Sequence, residues 1–87
     1  MRDQRTPTER IEDAARAAGL TIRHSGLDLI IVGRRWSDGG IHTATIYPGS
    51  RRIASMAYTV QTYVPGGRGW PERLAAKAAQ ILKEIEG

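Results

Sequence analysis

The chain has 87 residues, no cysteine, and thirteen lysines and arginines against nine acids, for a formal charge of +4. This length fits one domain with a thin core, and the absence of cysteine excludes a disulfide framework and a thiolate metal site or nucleophile. No apolar run approaches the roughly 20 residues of a membrane span, and the polar opening MRDQRTPTER lacks the apolar stretch of a signal peptide, so a cytoplasmic protein with residues 1–5 frayed is expected.

Thr6-Pro7-Thr8-Glu9 reads as a capping box, with Thr6 at the N-cap, Pro7 at the first helical position and Glu9 bonding back. Ile11, Ala14, Ala15 and Ala18 follow at helical spacing, and Gly19 suits the left-handed residue that closes a helix, so the first helix is placed at 7–18. Leu20 to His24 is a short extended piece broken at Ser25-Gly26. Leu27 to Arg35 reads as the main strand, and its apolar run Leu29 to Val32 points to a central position or burial on both faces. The stretch WSDGG supplies a turn. Ile41 to Tyr47 alternates and is rich in β-branched residues, and Tyr47-Pro48-Gly49-Ser50 fits a type II turn. The next strand runs from about Arg52 to Val60 or Tyr63, with Ala54, Met56, Tyr58 and Val60 on one face. The last helix begins at Pro71 and carries the stripe Leu74, Ala75, Ala78, Ile81, Leu82, Ile85. The expected fold is α+β in the order α-β-β-β-α. It is an antiparallel meander of three strands, or four if the first extended piece stands alone, with both helices on one face and the other face wet.

The charge excess is confined to the middle of the chain. Residues 19–70 hold Arg23, Arg34, Arg35, Arg51, Arg52 and Arg68 against only Asp28 and Asp38, whereas 1–18 and 71–87 each sum to zero. A G+C-rich coding sequence explains the arginine count equally well; it does not explain the scarcity of acids in the same segment. An anionic partner would be drawn there.

PGGRGWPER is the sharpest local signal. Glycines let backbone approach an anion, a helix N-terminus offers unpaired N–H groups, and Arg68 and Arg73 flank it. Glu72 in the first turn would repel a phosphate, and a plain flexible linker is the alternative. Arg34-Arg35 and Arg51-Arg52 fall at opposite ends of an antiparallel sheet, suited to holding an extended polyanion at two places or simply to solubility. His24 and His42 show no ligand spacing, so no metal, cofactor or catalytic group is expected. Trp36 and Trp70, with Tyr58 and Tyr63, either stack on bases or cover the edge of a small core.

The order α-β-β-β-α with Gly67-Arg68-Gly69 leading into RLAAKAAQIL resembles the double-stranded-RNA-binding domain. That resemblance implies phosphate contacts at the last helix from Arg68, Arg73 and Lys77. Pro71-Glu72-Arg73 stands where that family has a lysine pair. The stretch AAGLTIRHSGLDLII is similar to the HicA toxin family of small ribonucleases, in which His24 would be the nearest catalytic candidate. Leu27-Asp28 occupy the place where the family's histidine is expected.

Taken together, these features point to a small non-enzymatic nucleic-acid-binding protein using Arg68, Arg73, Lys77, Arg34, Arg35, Arg51 and Arg52. The alternative is an inhibitor or accessory factor, such as a mobile element would encode, that docks on a larger host protein; a HicA-like ribonuclease ranks third. No membrane partner is expected, and an exposed strand such as Arg52 to Tyr63 would allow a homodimer.

Overall fold

The computed structural model describes residues 5–55 and 58–86, with 58–61 and 86 described by backbone alone. The chain runs α1 (Pro7–Ala17), β1 (Thr21–Ser25), β2 (Ile30–Arg35), β3 (Ile41–Tyr47), a 3-10 turn (Pro48–Ser50), β4 (Arg52–Ser55), β5 (Tyr58–Tyr63) and α2 (Trp70–Glu86). The α+β meander between two helices is therefore observed, with five strands in the order β1-β2-β3-β4-β5 and every neighbour antiparallel.

Local chemistry sets the first helix. The Thr6 hydroxyl accepts from the Glu9 N–H at 3.1 Å, and the Glu9 carboxylate accepts from the Thr6 N–H, which satisfies two donors that would otherwise face water. At the other end Ala18 is the cap, Gly19 takes φ 87°, and the Leu20 N–H donates to Ala15 O at 2.9 Å. That wrap-around closes the helix and sends the chain into β1. Arg5 pairs with Asp13, so residue 5 is tied to α1; residues 1–4 lie outside the described residues.

The strands share one buried face. Ile30, Val32, Ala44, Ile46 and Ile53 are buried on it, and the register sets Ile30 opposite Ile46, Val32 opposite Ala44 and Ile46 opposite Ile53. Ile11 and Ala15 of α1 and Leu74, Ala75, Ala78, Ile81 and Leu82 of α2 complete a single apolar layer. Alternation puts Ile31, Thr43, Thr45, Tyr47, Arg52 and Ala54 on the opposite face, which carries no helix. No helix among the described residues is long and apolar enough to cross a membrane.

Three local expectations change. The stretch read as one strand from Arg52 is two, β4 and β5, with Ser55 opposite Tyr58, so β4 is interior and the sheet edges are β1 and β5. Met56, assigned to one face of that strand, lies outside the described residues. Leu27 to Leu29 precede β2 instead of opening it: the Gly26 N–H donates to Leu29 O, and Leu27 is 99% exposed. β2 does take the expected central position, between β1 and β3, with Ile31 half-buried and Gly33 buried on the face away from the helices. Finally, Pro48–Ser50 forms a 3-10 turn closed by Arg51 in the left-handed region, φ 53° and ψ 42°, where a type II turn would have placed Gly49 at positive φ.

Truncating Leu74, which has no exposed surface, is expected to cost about 2–5 kcal/mol. Leu27→Ser should stay within about 0.5 kcal/mol. Urea unfolding of the two variants checks the assignment; equal losses would contradict it.

Candidate functional site

β5 ends at Tyr63 and α2 begins at Trp70, leaving Val64 to Gly69 to turn the chain. Gly67 and Gly69 adopt φ 111° and 78°, conformations that L side chains rarely enter. The carbonyls of this loop accept from a cation. Arg73 Nη2 donates to Pro65 O at 3.4 Å and to Gly66 O at 3.3 Å, and Nη1 donates to Arg68 O. A Cβ on Gly69 would stand 3.3 Å from Arg73 Nη1, so the glycine also makes room for the guanidinium.

Arg51 reaches the same loop from the start of β4. Its carbonyl accepts from the Val64 N–H at 2.9 Å, and its Nε donates to Val64 O at 3.2 Å. Its Cζ lies 3.4 Å from where a Gly66 Cβ would be. Two guanidinium groups, 22 positions apart in the chain (Arg51 and Arg73), therefore lie against Gly66. Like charges repel at this range, and the acceptor carbonyls offset that repulsion.

Glu72, the acid in the first turn of α2, is clamped by Arg10 of α1. Nε lies 2.8 Å from one carboxylate oxygen and Nη2 lies 2.6 Å from the other. The bidentate geometry ties the two helices together at their N-terminal ends and neutralises the carboxylate at the helix start. The acids of α1 are engaged as well: Glu9 in the capping box, Asp13 with Arg5 and Arg16, and Glu12 with Arg16.

The seven predicted basic residues take three places. Arg68 is exposed on the loop, and Lys77 follows Arg73 by one helical turn. Lys77 lines a groove of about 420 Å³ together with Tyr63, Val64, Pro65 and Ala76. Arg51, Arg68, Arg73 and Lys77 thus share the corner where β4 begins and α2 starts. Arg52 is beside them but turns to the uncovered sheet face, with its Cζ 4.2 Å from the Tyr47 ring centroid. Arg34 and Arg35 lie at the other end of β3, paired with His42 and Ile41, as the strand directions predict. There Arg34 joins Lys83, Ala18 and Leu20 around a second groove of about 480 Å³.

The aromatic and histidine candidates also separate. Trp70 packs against the core. Trp36 stacks on His42 with centroids 3.3 Å apart, which covers one end of the sheet. His24 is exposed on edge strand β1, and among the described residues no group of three or more His, Asp or Glu side chains is placed to hold a metal ion. Two contributors escaped the sequence reading. Arg10 was counted only as a helix charge, since nothing local links it to Glu72. Tyr47, the last residue of the alternating strand and the first of the expected turn, is not among the aromatic candidates, although the alternation already sets it on the face of Thr43 and Thr45. Comparison of the chain with protein families, with curated proteins and with solved structures finds no match.

If Arg73 organises the loop, Arg73→Lys should cost about 1 kcal/mol despite keeping the charge, because an ammonium cannot span three carbonyls as a planar fork does. Arg68→Ala should change stability by less than about 0.5 kcal/mol. Denaturant unfolding distinguishes them, and indistinguishable variants would contradict the loop assignment.

Proposed function

We propose that the protein is a non-enzymatic nucleic-acid-binding module that contacts the phosphate backbone at the corner formed by Arg51, Arg68, Arg73 and Lys77. The observation that carries this reading is convergence. Three separate segments bring cations to one corner, and the acid at the same helix start is neutralised by Arg10. Within that corner the roles differ. Arg51 and Arg73 are held by carbonyls and act as fixed positive charge. Arg68 and Lys77 are the side chains that reach phosphate. At the other end of the sheet, Arg34 with Lys83 on the helix side and Arg35 on the uncovered face would give an extended polyanion further contacts. The resemblance to the double-stranded-RNA-binding domain accords with this use of the last helix's N-terminus. The reading also suits a cytoplasmic protein, and edge pairing through β1 or β5 would give a homodimer with two such corners.

A phosphate-led interaction is salt-dependent. Measured by fluorescence anisotropy on RNA and DNA oligonucleotides, log Kd should rise by about 0.7–0.9 per contacted phosphate for each log unit of salt. Arg68→Ala and Lys77→Ala should each remove about one such contact from the slope. A Kd unchanged between low and moderate salt, or no oligonucleotide binding at all, overturns the proposal. In that event a partner retained from nuclease-treated extract would put the larger host protein in its place.

A further inference from the structure

The face of the sheet that carries no helix has a composition of its own. Tyr47 pairs with Arg52, and Arg52 pairs with Tyr63, so ring, guanidinium and ring follow one another across three neighbouring strands. The Arg52 Cζ stands over the Tyr47 ring, 4.2 Å from its centroid. Tyr63 is 62% exposed, a large apolar surface left in water at the end of β5. At the other end of the same face Arg35 pairs with Ile41, which is 41% exposed.

Gly33 has no side chain because the space is taken: a Cβ there would stand 3.1 Å from Ile41 Cγ2 and 3.2 Å from Arg23 Cγ. The stem of Arg23 thus lies across the sheet and brings a third guanidinium to this face. Among the described residues none of the side chains on this face is acidic. Asp28 and Asp38 are in the turns, where the Asp38 carboxylate accepts from the Gly40 N–H at 2.8 Å.

From this juxtaposition we infer that the uncovered sheet face binds single-stranded nucleic acid, with bases stacked on the Tyr47–Arg52–Tyr63 row and phosphates held by Arg23 and Arg35. The inference rests on the nucleic-acid reading above and adds to it a preference for unpaired strands. Every base has a π-face, but a duplex hides its base faces inside the stack, so the exposed Tyr63 ring beside the Arg52–Tyr47 pair gains contact only from unpaired bases. The seven residues of β3 span about 20 Å, room for about two or three bases laid across the strands. The phosphate corner adjoins the Tyr63 end, so one strand can run from the sheet face onto Arg68 and Lys77.

The test compares a single-stranded oligonucleotide of about 10 nucleotides, within the range one small binding face covers, with the same sequence annealed to its complement. Anisotropy is read for the wild-type protein, Tyr63→Leu and Tyr63→Phe, and thermal melting confirms that the variants fold. The inference expects tighter binding of the single strand. It also expects a loss of about ten-fold or more for Tyr63→Leu on the single strand, near wild-type affinity for Tyr63→Phe, and little change on the duplex. If salt-dependent binding persists but Tyr63→Leu leaves it unchanged, or lowers both substrates equally, the stacking face is wrong and the phosphate corner stands. Absence of binding to either oligonucleotide removes both.

Discussion

The junction between β5 and α2 depends on guanidinium groups that satisfy backbone carbonyls. A loop of six residues, Val64 to Gly69, has to reverse from a sheet edge into a helix packed over that sheet. Three glycines make the turn sterically possible, and in doing so they expose carbonyls that need donors. Arg73 supplies them from within the helix that the loop introduces, and Arg51 supplies another from the neighbouring strand. The start of α2, the end of β5 and the left-handed residue before β4 are therefore one connected unit.

The arrangement of charge follows from where the apolar layer lies. Both helices cover one face of the sheet, and the buried side chains of that face are all apolar among the described residues. Charged groups are left to the helix surfaces, the sheet ends and the uncovered face. On α1 the acids and arginines pair with one another, and across the helix starts Arg10 takes Glu72. The cations of the central segment have no such acids beside them in sequence. They collect at the β4–α2 corner, at the opposite end near Lys83, and on the sheet face. The loop cations are thereby structural and electrostatic at once: holding carbonyls fixes their position without removing their charge.

Much of the fold was legible because its signals are local. The Thr6 to Glu9 box, Gly19, the alternation of Ile41 to Tyr47 and the stripe of α2 each depend on residues a few positions apart. The division between β4 and β5 was not legible, since the sequence from Arg52 to Tyr63 contains none of the glycine, proline, asparagine or aspartate that marks reversals. The turn after β3 was misplaced for a related reason: Gly49 advertised a positive φ that Arg51 takes instead. Of the site, the sequence showed which cations exist and that the two arginine pairs lie at opposite sheet ends. It did not show that Arg73 turns back onto the preceding loop, nor that Arg10 clamps an acid 62 positions away. Neither contact has a periodicity, because both arise only when packing brings the helix starts and the loop together.

The measurement that bears most directly on this account is nuclear magnetic resonance of the arginine side chains at low temperature and mildly acidic pH, read as the exchange of guanidinium protons with water. Arg51 Nε–H and the Nη protons of Arg73 should exchange slowly, because carbonyl oxygens hold them, while Arg68 should average with solvent. Equal, fast exchange at all three would mean that the loop does not hold its arginines and that the junction is organised in another way.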